Sequence, residues 1–248
     1  MGRWSRLLAP RFVSWLSIRP NANWLDVGCG TGALAEAICA GANPASVVAC
    51  DPSEPFIEYA RRCGVGTPIS FIVAGVGQLP MHPGGFDSVT SLLALNFFPK
   101  PEVAIKEMRR ITAVNGVVSA CVWDYAGRME FLRCFWDSAA AVDPTAAELD
   151  EGRRFPICQP DALEPLFCEA GLADVVSDSI EISTRFSTFA EFWKPFRGGT
   201  GPAPSYVASL EPPQREALAA RLERLLPREP DGAISLVARA WVVRGVAR

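Results

Sequence analysis

Residues 24–32 read WLDVGCGTG, in which a short apolar strand, Trp24–Val27, leads into a loop with glycine at positions 28, 30 and 32. A helical pattern follows over Ala33–Ala40, and Gly41 ends it. The glycines permit a tight turn and close approach of a ligand to the backbone, and amides at the start of the helix can bind its anionic part. This order predicts a ligand site at the carboxyl edge of a parallel sheet.

Two acidic residues accompany this loop. Asp51 ends the second strand, where a carboxylate can accept both hydroxyls of a ribose. The spacing Gly28-x-Gly30-x-x-Ala33 also satisfies the relaxed fingerprint of dinucleotide-binding folds. Asp26 favours a ligand with a cationic amino group over a dinucleotide, because a carboxylate before the first glycine would attract an amino group and repel a pyrophosphate. A tight turn of purely structural purpose is the remaining alternative.

Strands and helices alternate along the first half of the chain. The predicted strands are Ser46–Cys50, Ser70–Ala74, Phe86–Leu95 and Val117–Trp123, and the predicted helices are Glu54–Cys63 and Lys100–Ala113. The pair Asn115-Gly116 predicts a turn before the last of these strands. The alternation implies right-handed crossovers and a parallel sheet covered on both faces.

The second half of the chain is organised differently, with aromatic helices placed between two further strands. We predict helices at Glu130–Val142, Asp161–Ala170, Phe189–Phe196 and about 213–226, and strands at Val175–Ile182 and Ala233–Val243. Residues 1–248 then form a single domain. Its core comprises residues 22–125, 161–182 and 232–245, and its helical cap segments are residues 1–20, 126–160 and 184–230.

The composition narrows the class of protein. The net charge of −3 argues against a nucleic-acid partner, because such proteins usually carry a basic face. Charge, Gly or Pro interrupts every long apolar stretch, which predicts no transmembrane segment. The eight cysteines form no CxxC pair and read as reduced core residues of a cytoplasmic protein, with no metal site.

Three stretches carry a family resemblance: WLDVGCGTGALAEAI, VVACDPSEPFIEYARR and FDSVTSLLALNFFPKPEVAIKEMRRITAVNGVVSACVWDY. Residues 22–125 resemble class I S-adenosylmethionine-dependent methyltransferases of the small-molecule branch, similar to the ubiquinone/menaquinone C-methyltransferases. The resemblance implies an α/β fold with a doubly wound, mostly parallel, seven-stranded Rossmann-like sheet. It also implies that one late strand, Ala233–Val243, is antiparallel and inserted beside Val175–Ile182.

The resemblance further implies S-adenosylmethionine as cofactor, with S-adenosylhomocysteine as product. It assigns the amino-acid end of the cofactor to Asp26, Gly28 and Gly30, and the ribose to Asp51. The full predicted cofactor set is Asp26, Gly28, Cys29, Gly30, Thr31, Gly32, Asp51, Pro52, Ser53, Gly75, Val76, Gly77, Leu92, Leu95 and Trp4. This chain lacks the acidic residue that many relatives place after the third strand, so adenine recognition would fall to the backbone of Gly75–Gly77 or to Gln78.

The acceptor side is less sharply indicated. The substrate-binding candidates are Asn96, Phe97, Phe131, Phe135, Arg154 and Trp193, and the catalytic candidates are Asp124, Tyr125 and His82. Each has a plain structural alternative. Asn96 and Phe97 could pack within their loop, and the other aromatic substrate-binding candidates could be core residues. Arg154 could be a solvated charge, Asp124 and Tyr125 could cap a strand end, and His82 could be an exposed loop residue. The order Asn96-Phe97-Phe98-Pro99 differs from the Asn/Asp-Pro-Pro-aromatic motif of nucleic-acid amino methyltransferases, which disfavours that substrate.

The predicted function is transfer of a methyl group from S-adenosylmethionine to a small, partly apolar acceptor. The aromatic residues of the cap segments favour such an acceptor, because inserted segments carry recognition on a rigid scaffold. Residues 1–16 are predicted to close over the cofactor as a lid. A non-catalytic S-adenosylmethionine-binding regulator and an NAD-dependent oxidoreductase are the alternatives, and the sequence predicts neither the methylated atom nor the oligomeric state.

Overall fold

The computed structural model describes residues 2–64, 68–77, 79–198 and 201–248. The helices are α1 (Gly2–Leu16), α2 (Ala33–Gly41), α3 (Glu54–Cys63), α4 (Pro101–Ile111), α5 (Glu130–Val142), α6 (Glu151–Arg154), α7 (Pro160–Glu169), α8 (Phe189–Gly198), α9 (Pro202–Ser209) and α10 (Pro212–Leu225). The strands are β1 (Asn23–Val27), β2 (Ser46–Asp51), β3 (Ile69–Val73), β4 (Phe86–Leu92), β5 (Thr112–Trp123), β6 (Ala173–Phe186) and β7 (Ile234–Val246). Short 3-10 helices occupy Leu95–Phe97 and Pro144–Glu148.

The seven strands form one sheet in the order β3-β2-β1-β4-β5-β7-β6. Strands β1 to β5 pair in parallel. Strand β7 runs against β5, since the Asp124 amide donates to Arg239 and the Ala247 amide donates to Gly116. The predicted fold class is therefore confirmed, including the antiparallel strand inserted before β6.

The chain divides into two compact units, which we describe separately. The first contains Met1–Val122, Gln159–Ile180 and Ala240–Arg248, and the second contains Trp123–Cys158 and Glu181–Arg239. In the first unit α1 packs along α2. The apolar stripe of α1, which includes Leu8 and Phe12, is fully buried, and Arg6 forms an ion pair with Glu36 at the start of α2. This helix, predicted as part of the cap, is thus a packed component of the first unit.

The core of the second unit is a cluster of aromatic side chains from α5, α8 and the end of β6. The rings of Phe131 and Phe135 stack on Phe196 with centroids 4.5 and 4.4 Å apart, and Phe131 also stacks on Phe186 at 5.6 Å. Stacked aromatic rings add to the stabilisation that apolar burial provides. The helical spacing of aromatic residues over 130–142 and 189–196 therefore has a structural purpose.

The structure differs from the prediction at several elements: β4 ends at Leu92 rather than at Leu95, β6 is longer than predicted at both ends, and β5 and α9 differ most. Strand β5 begins at Thr112 rather than at Val117, because Asn115-Gly116 is a distortion inside the strand, with Asn115 at φ 64°, and not a turn before it. The pairing register with β4 shifts between Phe86 and Ser88 at this distortion. Helix α9 was not predicted, since its prolines suggested a loop; Pro202 is tolerated in the first helical turn, where no amide partner is needed.

Within the described part of the chain, no helix is both long and apolar enough to cross a bilayer. The same residues contain no group of three or more metal-ligating side chains.

Candidate functional site

The backbone of the glycine loop is tied to the end of β2. The amides of Gly28 and Cys29 both donate to the carbonyl of Cys50, at 2.8 and 2.9 Å, and the Gly30 amide donates to an Asp51 oxygen at 2.9 Å. These three amides therefore have partners inside the protein. They therefore do not form a phosphate cradle, and the binding of an anionic group by the amides at the start of α2 stays a prediction.

Two glycines of the loop are required for different reasons. A Cβ atom on Gly28 would lie 2.5 Å from the Cβ of Ala94, so this glycine permits close packing of the segment that follows β4. Gly30 has φ +52° and no heavy atom within 4 Å of its missing Cβ, so open space lies directly over its backbone. Gly30 is thus the point where a ligand can reach the main chain.

Asp26, near the end of the strand that leads into this loop, is an unusual buried group. Its side chain is fully buried, and among the described residues neither carboxylate oxygen has a partner of ordinary hydrogen-bond geometry, although the Ala35 backbone amide approaches it loosely. Burial raises the pKa of Asp26 to about 8; the nearby Ala35 amide lowers it in part, and the charge of Asp51 raises it further. A buried, unpaired carboxyl group is costly unless a partner reaches it. A cationic amino group is the partner that would favour its charged form.

Asp51 holds the other side of the loop. One of its oxygens accepts from the Gly30 amide and the other from the Ser53 amide, at 2.9 and 2.8 Å. This carboxylate therefore links the glycine loop to the start of α3. Each oxygen can accept a further hydrogen bond, so the predicted contact with ribose hydroxyls is compatible with these bonds.

The predicted adenine contacts lie beside Asp51. The Ala74 amide donates to the Asp51 carbonyl at 3.1 Å, which brings the segment after β3 next to Pro52 and Ser53. Added Cβ atoms at Gly75 and Gly77 would meet nothing within 4 Å, so the backbone here is open. Gln78, the other candidate for this contact, lies outside the described residues. The structure thus brings the predicted amino-acid, ribose and adenine residues together at one sheet edge.

The segment after β4 forms the wall opposite Asp51. Leu93 adopts φ 59° and turns the chain so that Ala94 and Phe98 pack on Gly28. Leu92 and Leu95 are buried, whereas Phe97 is 61% exposed. Asn96 is buried, and neither its amide nitrogen nor its oxygen has a partner among the described side chains and backbone.

Trp4 is also buried, on α1. Arg6, two residues later, pairs with Glu36 in the first turn of α2, so this end of α1 lies near the glycine loop. A cofactor contact for Trp4 stays a prediction.

The candidate base Asp124 is fully engaged in the second unit. It accepts from the amides of Gly127 and Arg128 at 3.0 and 2.7 Å, and it pairs with Arg239 at 2.7 Å. These bonds support its alternative role as a strand-end cap. Tyr125 is buried, and its ring lies 5.7 Å from that of Phe155.

The candidate base His82 lies away from the glycine loop. It is exposed in the segment that leads into the amino end of β4, whereas the loop lies at the carboxyl edge of the same sheet. Arg110, near the end of α4, holds this segment by donating to the Met81 and Leu79 carbonyls at 3.2 Å. The structure therefore does not bring His82 together with the predicted cofactor residues.

The remaining acceptor candidates lie in the second unit. Phe131 and Phe135 are buried in the aromatic cluster, and the Trp193 ring stacks on Phe189 with centroids 6.2 Å apart. Arg154 is exposed, with its guanidinium 5.8 Å from the Phe155 ring. An acceptor-binding role for these residues stays a prediction.

Sequence reasoning missed one buried polar pair of this unit. The Trp136 indole N–H donates to the Glu151 carboxylate, and burial raises the pKa of Glu151. A charge run over residues 148–154 gave no signal that one of its members is buried.

Comparison with known proteins agrees with this geometry. Residues 25–120 match the family model described as "Methyltransferase domain". Over 217 residues the chain is 27% identical to malonyl-[acyl-carrier protein] O-methyltransferase of Halorhodospira halophila, covering 85% of this chain and 69% of that protein. An uncharacterized protein of Mycobacterium tuberculosis is 25% identical over 225 residues, or 88% of this chain and 78% of the relative.

Among solved structures, the fold is similar to phosphoethanolamine N-methyltransferase 2 of Haemonchus contortus, solved with phosphomonomethylethanolamine and S-adenosylhomocysteine. The TM-score is 0.61 at 12% identity, covering 98% of this chain and 52% of that one. At this identity the likeness concerns the fold alone.

Proposed function

We propose that this S-adenosylmethionine-dependent methyltransferase moves the methyl group to a small, partly apolar acceptor. The observation that carries the proposal is the buried Asp26 carboxyl group on the strand that leads into the glycine loop, where neither oxygen has a well-formed hydrogen bond among the described residues. This arrangement suits the cationic amino-acid end of the cofactor, and it is unsuited to the pyrophosphate of a dinucleotide. The family match likewise favours neither an oxidoreductase nor a non-catalytic binding protein. Within class I, we propose that the chain is related to the ubiquinone/menaquinone C-methyltransferases.

The residues fit a role in binding and alignment. When bound, S-adenosylmethionine supplies a sulfonium-linked methyl group that a nucleophilic atom of the acceptor can displace. Asp26 would hold the amino group, Asp51 the ribose hydroxyls, and the backbone at Gly75 and Gly77 the adenine. Methyl displacement gains rate chiefly from alignment and from exclusion of water, which such fixed contacts provide.

The proposed acceptor follows from the second unit. The aromatic rings of this unit form a continuous cluster. Arg154 is the positively charged residue among the substrate-binding candidates, and it is exposed. An acceptor that contacts this cluster would meet mainly apolar surface, which favours an acceptor with an apolar body. A carboxylate acceptor is the second candidate, since one relative is a malonyl-[acyl-carrier protein] O-methyltransferase.

The test is a product search. The protein is incubated with methyl-labelled S-adenosylmethionine and a metabolite extract, and labelled products are isolated and identified by mass spectrometry. We expect a labelled small molecule with an apolar body, and no label when Gly30→Val replaces the wild type. Label found only in nucleic acid or in protein would contradict the proposal.

A further inference from the structure

A buried carboxamide without a partner lies at the carboxyl edge of β4. The Asn96 side chain is 7% exposed, and neither Nδ2 nor Oδ1 has a hydrogen-bond partner among the described residues. This group carries two N–H donors and an accepting oxygen. Nearly all buried polar groups of native proteins are paired, and leaving them unpaired lowers stability. A ligand that reaches this side chain would supply the partner that the described residues do not.

The short segment that contains Asn96 packs against the glycine loop. Ala94 and Phe98, two residues before and after Asn96, both pack against Gly28. Leu93 makes the turn with φ 59°, a conformation that leucine rarely adopts. Backbone strain and an unpaired buried amide thus occur in the same short segment. Both lower stability, and such features concentrate where function requires them.

We propose that Asn96 binds the methyl acceptor through a hydroxyl group, which donates to Oδ1 and accepts from Nδ2. This inference rests on the proposed function and specifies its substrate class. A carboxylate only accepts hydrogen bonds and would leave Oδ1 unpaired. An ammonium group only donates and would leave Nδ2 unpaired. A hydroxyl satisfies both atoms, so Asn96 selects a hydroxyl-bearing acceptor over an acidic or cationic one.

Two variants and one control test this role. Asn96→Leu keeps the approximate shape and removes both hydrogen-bonding functions, and Asn96→Asp keeps the shape and an accepting oxygen. Ser88→Ala is the matched control, because Ser88 is likewise buried and its Oγ has no partner among the described residues, but it lies in the amino-terminal half of β4, away from the carboxyl edge. Each protein is assayed for label transfer from S-adenosylmethionine into a metabolite extract, for S-adenosylhomocysteine affinity by calorimetry, and for its urea unfolding midpoint.

We expect Asn96→Leu to lower label transfer about tenfold or more, while S-adenosylhomocysteine affinity stays within about twofold of wild type. Its unfolding midpoint should equal or exceed that of wild type, since an unpaired polar group has been removed. The unfolding midpoint of Ser88→Ala should also equal or exceed that of wild type, but its label transfer should equal that of wild type. Asn96→Asp should transfer more label than Asn96→Leu, because its carboxyl group still accepts from a hydroxyl.

Three results would overturn the proposal. A marked fall in the unfolding midpoint of Asn96→Leu would mean that the amide is satisfied within the fold. Wild-type label transfer by that variant would mean that Asn96 does not bind the acceptor. Less transfer by Asn96→Asp than by Asn96→Leu would indicate an anionic acceptor. If the wild type itself labels no small molecule, the proposed function fails, and the role of Asn96 falls with it.

Discussion

The carboxyl group of Asp26 lies in a buried position close to the Asp51 carboxylate and to the Cys29 and Cys50 thiols. Burial, and to a lesser extent these acidic neighbours, also raise the thiol pKa values, with that of Cys50 at about 12. Both thiols therefore stay neutral across the physiological range, whereas the charge of Asp26 changes within it.

This placement predicts that cofactor binding releases a proton. The raised pKa of about 8 keeps Asp26 protonated at neutral pH in the free protein, whereas a bound ammonium group favours the carboxylate. S-adenosylhomocysteine affinity should then rise up to about tenfold per unit between pH 5.5 and 7.5. Calorimetry in buffers of different ionisation enthalpy measures both the affinity and the proton release.

Asp26→Asn is the control for this dependence. Its affinity should be lower than that of wild type at pH 7.5, and the difference should shrink towards pH 5.5. A wild-type affinity that does not change with pH would contradict the assignment of the amino group to Asp26.

A second prediction at this scale concerns Gly30. An alanine there has room for its Cβ but must adopt φ +52°, which costs about 1–2 kcal/mol of unfolding free energy for an L-residue. Gly232→Ala is the matched control, since Gly232 also has positive φ and open space but lies in the second unit. Urea unfolding should show similar losses for both variants, and calorimetry should show weakened S-adenosylhomocysteine binding for Gly30→Ala alone. Equal binding by the two variants would place the ligand elsewhere.

At the scale of elements, the end of β5 is joined to β7 by the Asp124–Arg239 pair. The carboxylate is buried, and it also accepts two amides of the turn that leads to α5. An added Cβ at Gly127 would lie 2.4 Å from an Asp124 oxygen, so the turn closes tightly around this side chain. Asp124 thus organises the start of the second unit.

Asp124→Asn should therefore reduce stability more than catalysis. Removing one partner of a buried ion pair typically costs about 3–5 kcal/mol, and the lower end applies because Arg239 retains some solvent contact. Urea unfolding measures this loss. At a temperature where the variant is folded, the pH profile of methyl transfer should keep its wild-type shape. An unchanged unfolding free energy together with a lost basic limb of the profile would instead identify Asp124 as the base.

The elements that the sequence predicted well are those with local signals. Helix α3 was predicted at its observed bounds, because Ser53 and Gly64 delimit it in the sequence. The start of β5 depended on a distant strand, since the Asn115 amide donates to Ala247 and keeps the distorted segment within the sheet. The partner of Asp124 could not be predicted either, because Arg239 lies far along the chain and its position depends on the fold.

At the scale of the whole molecule, the predicted cofactor residues are brought together because their strands are neighbours. Strands β3, β2, β1 and β4 are adjacent in the sheet, and each ends at the same edge. The sequence could order these strands by family resemblance. It could not show that the amides of Gly28, Cys29 and Gly30 are already paired, or that the side chains of Asp26 and Asn96 are buried without a well-formed hydrogen bond among the described residues.

The residues at the carboxyl edge of the sheet predict which ligand stabilises the protein. S-adenosylhomocysteine at about 100 times its Kd should add about 2.7 kcal/mol to the unfolding free energy, provided that it binds only the folded state. For a chain of this length the unfolding midpoint should rise by roughly 5–10 °C. NAD at the same concentration should leave it unchanged, because the amides of Gly28, Cys29 and Gly30 are occupied and cannot donate to a pyrophosphate. Scanning calorimetry with each ligand measures this difference in the unfolding midpoint. If the two units unfold separately, S-adenosylhomocysteine should raise only the unfolding temperature of the first unit. An equal rise with NAD would show that the loop accepts a dinucleotide after all.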